Sequence, residues 1–337
     1  MVITISWQLK LFVRCQLCDI CSERGNCGGC NPDCKEGVFC HISKKCSKCG
    51  VLCSVRPNLS SFLAEIQGTD FPSLPVTRIP ILNQLPAVIP LLTDRWDAER
   101  PYGLQWVAIG IGLIFRKSGI NFDALSDLPS FLRIPKSTKI LLVNHGEDSF
   151  LENYWRFSKV RGYAQAIKKS GIVLATGLNF SLFDEHPRLT HLVSMKKSLI
   201  TTKELIEAGV PAIPHMYWKN QADLDRWVDF LNRNPHVNAV SVNFTYRRAN
   251  DVFASGIKDL QWIRGKINRQ ITCFVIGVSS PHRVAWVCRE LKPSIIIAGK
   301  IQRAACARRL LDGEHDPSRS RYETFMDNLN GLLDACG

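Results

Sequence analysis

The chain has 337 residues, 45% of them hydrophobic and 22% charged, with a formal net charge of +13 at pH 7. That balance excludes an intrinsically disordered chain and supports one large barrel or two ordinary domains. It also argues against a membrane-spanning helix: the longest strongly apolar run, Val107–Phe115, is far shorter than the roughly 20 residues a bilayer core requires.

Met1–Val13 alternates apolar and polar residues and then meets cysteines, where a secretory signal would carry a small-residue cleavage site. A cytoplasmic protein is therefore expected. Ten of the 14 cysteines fall in one stretch: Cys15-x2-Cys18-x2-Cys21, Cys27-x2-Cys30-x3-Cys34, Cys40, and Cys46-x2-Cys49-x3-Cys53. A two-residue spacing lets two thiolates turn back onto one metal, and Gly28, Gly29 and Gly50 supply the tight backbone such knuckles need. Residues 1–56 read as a cysteine-rich metal-binding segment holding zinc or, alternatively, a 4Fe–4S cluster. A disulfide framework is the competing reading. Cys273, Cys288 and Cys306 read as buried core thiols, and Cys336 as a thiol near a loose end.

Residues 57–85, rich in Pro, Ser and Leu, read as a linker or a packing strap. Beyond them, apolar runs alternate with amphipathic stretches. Strands are predicted at Pro86–Leu92, Trp106–Ile114, Lys139–Asn144, Gly171–Leu178, Val210–His215, Val237–Asn243, Ile271–Val278 and Ser294–Ala298. Near-continuous apolar strands are buried on both faces, as parallel strands are. Between them, Phe150, Tyr154, Phe157, Ala164 and Ile167 form one helical face. Thr201-x-x-Glu204 suggests a capping box, and Gly209 a helix stop. Leu224, Trp227, Val228 and Leu231 form a second stripe capped by Asn220; Val284, Val287, Cys288 and Leu291 form a third, opened by Ser280 and Pro281. Eight strands alternating with helices predict an α/β fold, a (β/α)8 TIM-type barrel over residues 86–315, followed by a C-terminal helix or tail over 316–337. The first crossover, Thr93–Gln105, is short for a helix, so an open α/β sheet is the runner-up.

In such a barrel, reactive groups gather at the carboxyl ends of the strands. Those ends carry Asp94; Asn144, His145 and Asp148; Asn179 and Asp184; His215, Tyr217 and Trp218; Asn243, Tyr246 and Arg247; and Lys300. Amide and imidazole groups can read the edge of a base, and aromatic rings can stack on its face. Asp94, Asp148 and Asp184 are the candidate catalytic carboxylates, and the others the candidate substrate-binding groups. Each has a plainer reading: Asp184 as a helix cap, His215 as a satisfied core histidine, Trp218 as a seal on the rim. The basic residues also cluster. Arg156, Lys159, Arg161, Lys168 and Lys169 are read onto one helix, Lys300, Arg303, Arg308 and Arg309 onto another, and Arg247–Arg248 closes a strand. This grouping points to a polyanionic partner, DNA or tRNA, rather than to a membrane; a merely soluble basic protein is the alternative.

Three stretches resemble the tRNA-guanine transglycosylase superfamily, and more closely the phage and bacterial 7-deazaguanine DNA transglycosylases and related phage barrels. They are Gly209-Val-Pro-Ala-Ile-Pro-His-Met-Tyr-Trp218, Ala239-Val-Ser-Val-Asn-Phe-Thr-Tyr-Arg-Arg248, and Cys273–Ser279 together with Ser294–Ala305. Leu91-Leu-Thr-Asp94 is similar to an early aspartate motif. The resemblance covers about half of the chain, from about Lys139 to Leu310, and implies a base-exchange enzyme. Its aspartate would attack C1′ of a nucleotide, release guanine and accept a 7-deazaguanine in DNA or tRNA. Here the last strand ends in Gly299–Lys300, where the family places its nucleophile, so the carboxylate would come from Asp94, Asp148 or Asp184. Two other functions compete: a non-catalytic nucleic-acid-binding barrel, and an iron–sulfur redox enzyme.

Overall fold

The computed structural model describes residues 59–77, 79, 82–116, 118–182 and 188–337. The ten cysteines from Cys15 to Cys53, and Asp184, lie outside the described residues. Eight parallel staves close on themselves. They are β1 Val88–Leu92, β2 Trp106–Gly110, β3 Lys139–Val143, β4 Leu174–Thr176, β5 Ala212–Ile213 continued as His215–Met216, β6 Ala239–Asn243, β7 Thr272–Ile276 and β8 Ser294–Ala298. Every neighbouring pair is parallel, and the ring shuts where Val88 of β1 pairs with Ile296 of β8. The expected TIM-type barrel is the fold.

Pro214 divides β5. The first half pairs with β4 through Ala175 and Ala212, and the second with β6 through His215 and Ser241. Proline has no N–H to give a ladder, so a break there is expected. Its carbonyl still accepts from Ser241 N–H at 2.9 Å, which keeps the stave continuous.

The staves alternate inward and outward, with period two. Ile89, Ala108, Leu141, Val143, Leu174, Ile213, Ala239, Phe274, Ile276, Ile295 and Ile297 fill the barrel interior. Ile79 and Trp106 join the same cluster. The opposite parity packs under the surrounding helices, among them Val107, Ile109, Ile140, Leu142, Val240 and Val242. Both faces are buried, which is why these strands read as unbroken apolar runs.

The short first crossover carries no helix: residues 93–105 run irregularly over the surface. The Arg321–Cys336 helix takes the vacant place. Its Phe325 packs edge-on to Trp96, with ring centroids 4.9 Å apart, and lies 6.3 Å from Tyr102. Ser320 and Glu323 close a capping box at its start. The described residues of the expected strap are likewise packed. Phe71 meets Trp227 at 4.8 Å, and Leu74 N–H donates to Asn234 Oδ1 at 2.9 Å.

Several local expectations need correction. Thr201 and Glu204 do not start a helix but sit inside Arg188–Glu207, where the Thr201 hydroxyl donates back to the carbonyls of Lys197 and Ser198. The helix expected to carry Arg156 through Lys169 breaks at Gly162, left-handed with φ 62, into Asp148–Arg161 and Tyr163–Lys169. Arg308 and Arg309 lie past the end of Ile301–Cys306. Cys306 is exposed, and Cys288 pairs with Cys336 in a disulfide with Cα atoms 5.3 Å apart. Among the described residues, no helix is long and apolar enough to cross a membrane.

Candidate nucleobase site at the barrel mouth

Three side chains from three staves converge over the barrel axis. His145 follows β3, Asn179 follows β4, and Asn243 ends β6. The Asn243 carbonyl oxygen accepts from Thr245 N–H at 2.9 Å, which turns its NH2 toward the imidazole. That NH2 lies 2.9 Å from His145 Nδ1, and the Asn179 NH2 lies 2.7 Å from the same nitrogen. The same Asn243 NH2 lies 3.4 Å from Nε2, and the shorter contacts assign Nδ1 as the acceptor and the ring proton to Nε2. Burial lowers the His145 pKa, and the nearby Asp148 opposes the shift only in part. The result is a neutral imidazole that presents an N–H donor.

The Thr245 turn is fixed by a close approach. Gly277 has φ +87, and a Cβ there would fall 2.8 Å from Thr245 N and 2.1 Å from its hydroxyl. Only glycine permits β7 to leave the barrel at this point.

Asp148 opens the Asp148–Arg161 helix, and its Oδ1 accepts from the Ser181 hydroxyl at 2.7 Å. It is half-buried and close enough to His145 for its charge to act on the ring. Asp94 stands apart on the rim, exposed, with Oδ1 accepting from Arg95 N–H at 2.8 Å. The backbone beside it is held by Gln302, whose Oε1 accepts from Thr93 and Asp94 N–H.

Tyr246 is 75% exposed and holds its ring 6.4 Å from that of His145. The loop beneath it is stiffened by a stack. The Arg247 guanidinium lies 4.9 Å from the Trp218 ring and 5.3 Å from Phe244, and Trp218 donates to Asp259 at 2.7 Å. Burial lowers the Arg247 pKa, with Asp259 opposing. Arg283 reaches the carbonyls of Arg247 and Arg248 and so clamps the loop from behind. Arg95, Arg248 and Lys300 remain exposed at the ends of β1, β6 and β8. Lys300 N–H donates to the Ser279 hydroxyl at 3.3 Å, and its side chain is free to meet an anion on the rim.

The remaining candidates are not on the open surface. Asn144 is fully buried. Its NH2 donates to the Thr176 carbonyl at 2.6 Å, tying β3 to β4. Tyr217 turns its hydroxyl inward, where burial raises its pKa well above the usual phenol range, while its carbonyl accepts from Trp227 at 2.9 Å. His215 is buried below the mouth, with Nδ1 2.9 Å from the Ser241 hydroxyl.

Two ion pairs that sequence reasoning missed, one buried and one with its carboxylate at the surface, hold the walls. Arg188 forms a bidentate pair with Asp223, whose Oδ2 also accepts from Lys219 N–H after β5. Lys197 meets Glu152 at 2.6 Å and covers the Phe180 ring at 4.1 Å, beside Asn179 and Ser181. The signal for both was faint: their cations, Arg188 and Lys197, lie in the one helix Arg188–Glu207, which carries no clean apolar stripe. Ser241 was also missed, because it sits within a strand and not at its end. Among the described residues, no group of three or more His, Cys, Asp or Glu is placed to hold a metal.

The fold and mouth together define a parallel β/α barrel with a polar, imidazole- and amide-lined opening. No family model matches the chain, and no curated protein matches it. Three solved structures illustrate what the chain is similar to. The YdjI aldolase from Escherichia coli K12 is 14% identical with a TM-score of 0.38, covering 76% of this chain and 91% of that one. The 3-hexulose-6-phosphate synthase from Salmonella typhimurium is 15% identical with a TM-score of 0.38, covering 73% and 99%. A structure described as native KDPGal is 10% identical with a TM-score of 0.39, covering 74% and 93%.

Proposed function

We propose that the mouth binds a purine base presented by a nucleic acid, and that the chain is a base-exchange enzyme of transglycosylase type. The observation that carries the reading is the His145–Asn179–Asn243 group, a preset imidazole donor on the barrel axis beside an exposed Tyr246 ring. A donor there matches the acceptor atoms of guanine, and the ring supplies a stacking face. Arg95, Arg248 and Lys300 on the rim suit phosphates, in keeping with the charge of +13.

Of the two described candidate carboxylates, Asp148 is the one that shares the mouth with His145. In this reading its free oxygen bonds to C1′ as the C1′–N bond breaks; the electron pair leaves on the base nitrogen, which takes a proton from water. An incoming 7-deazaguanine reverses the step. The resemblance to transglycosylases supports the chemistry, and the geometry supports the recognition.

Incorporation of labelled guanine into DNA or tRNA by the purified chain tests it. Wild type should exchange the base, and Asp148→Asn should bind the polymer but not exchange. No incorporation into either polymer, or full activity in Asp148→Asn, would refute the catalytic reading. A second reading, a base-binding barrel without catalysis, is favoured by the last stave ending in Gly299–Lys300 without a carboxylate. It predicts salt-dependent binding and no exchange. Zinc on the Cys15–Cys53 segment belongs to the same proposal, and stoichiometric zinc in a colourless sample would separate it from an iron–sulfur protein.

A further inference from the structure

The two halves of the mouth differ. The polar half rises from β3, β4 and β6, which carry His145, Asn179 and Asn243. The other half spans β8, β1 and β2, neighbours across the barrel seam. Leu91 packs against the interior cluster, and Ala108 and Ile297 belong to it. Strand alternation turns Gly110, two residues after Ala108, and Gly299, two after Ile297, inward as well. Both are half-buried, Gly110 at the end of β2 and Gly299 just past β8.

Nothing in the backbone calls for glycine at either place. Neither has a positive φ, and Gly110 is extended, with φ −79 and ψ 148. The β2–β3 register runs unbroken up to Gly110 and Val143, so there is no bulge. A Cβ on Gly110 would meet none of the described residues within 4 Å, and one on Gly299 would make an ordinary contact with Leu91 at 3.6 Å. Gly110 precedes the short Ile111–Ile114 helix, but serine or threonine caps a helix at least as well. Glycine in a strand costs conformational entropy and packs nothing. Where neither a bend nor packing requires it, it marks the close approach of another molecule.

The rim above this hollow is basic. Lys300 follows Gly299 directly, and Arg95 follows β1; both are exposed. Gln302 ties the β1 and β8 loops together, its Nε2 donating to the carbonyls of Asp94 and Arg95 at 3.1 Å. Asp94 shares this rim, and the Arg95 guanidinium lies 4.8 Å over Phe131. On the far side Gly110 pairs with Val143, at the root of the loop that carries His145 and Asp148. The hollow thus runs from the Asp148 loop to the rim cations. Resting on the base-binding reading above, we infer that Gly110 and Gly299 are specificity-determining residues that keep this hollow clear for the sugar–phosphate of the nucleotide whose base lies against His145. The ribose passes over Leu91 between the two glycines, and the phosphate reaches Lys300 and Arg95. The ligand class this selects is nucleotides, free or within a chain, over free bases.

Calorimetric titration of the full chain with guanine and with guanosine 5′-monophosphate tests this directly. Wild type should bind the nucleotide at least about tenfold more tightly, as charge-assisted contacts to a phosphate allow. Gly110→Thr fills the hollow while suiting both the strand and the helix cap, so the preference should fall to near unity with Tm unchanged or raised. Gly299→Val closes the hollow from the other side and should do the same. A preference that survives in both variants would overturn the inference alone. So would a lower Tm in both, because the fold itself would then need the glycines, and so would a wild type that binds guanine as tightly as the nucleotide. Wild type that binds neither would overturn the base-binding reading and the inference with it.

Discussion

Truncating Phe325 to alanine probes whether the C-terminal helix is a structural part of the barrel. Phe325 is 1% exposed and sits between Trp96 and Tyr102, in the gap the first crossover leaves. Removing a buried phenylalanine side chain costs about 3–5 kcal/mol, including the edge-to-face contacts of about 0.5–1.5 kcal/mol each. Trp96 is fixed by its own bond to the Arg100 carbonyl at 2.8 Å, and Tyr102 by its bond to the Trp106 carbonyl at 2.6 Å. Neither ring is positioned to collapse into the hole, so a loss of about 4 kcal/mol is expected. At roughly 2–4 °C per kcal/mol, Tm should fall by about 8 °C or more. Urea unfolding followed by far-UV circular dichroism measures the free energy, with Asn330→Ala on the exposed face of the same helix as a control within about 0.5 kcal/mol. A loss below about 1 kcal/mol in Phe325→Ala would mean that the helix is not a wall of the barrel.

Three other outcomes follow from the same contacts. Burial drives the His215 pKa from 6.5 to about 3, so the neutral ring favours the fold. Its contribution is complete above pH 6.5 and is lost as pH falls toward 3, by up to ~4 kcal/mol; urea midpoints measured across this window should decline, and His215→Gln should flatten the decline. Reducing the Cys288–Cys336 disulfide, which closes a loop of 48 residues, should cost up to ~4 kcal/mol, read as a lower Tm in dithiothreitol and no such change in Cys336→Ala. Tyr246→Ala should leave Tm unchanged, because the ring is 75% exposed, and weaken single-stranded nucleic-acid binding by about 1–3 kcal/mol in a fluorescence titration.

The staves were legible because each is buried on two faces, and a short apolar run is all such a strand needs to show. The absence of a first helix could be read from the length of Thr93–Gln105. What fills its place could not, since Phe325 comes from the far end of the chain and meets Trp96 only in space. The Arg188–Glu207 helix was half-read for a related reason. Lys196, Lys197, Ser194 and Thr201 are all buried there, so no apolar stripe marks its inner face. At the site, listing strand ends captured His145, Asn179 and Asn243. It could not separate Asn144 from His145, because one residue of register decides which is spent inside the wall and which reaches the axis. The Ser241 hydroxyl, a strand-interior group, announces itself only once His215 is seen beside it.

The pairing of Val88 with Ile296 joins the first stave to the last. Until that seam shuts, a growing or partly unfolded chain carries two bare strand borders, β1 and β8, each able to recruit another polypeptide. Contacts this distant along the sequence also form late, because the intervening loop must be closed first. Slow refolding with concentration-dependent loss to aggregates is therefore the kinetic signature of this closure, and conditions that keep chains apart should recover the most native protein.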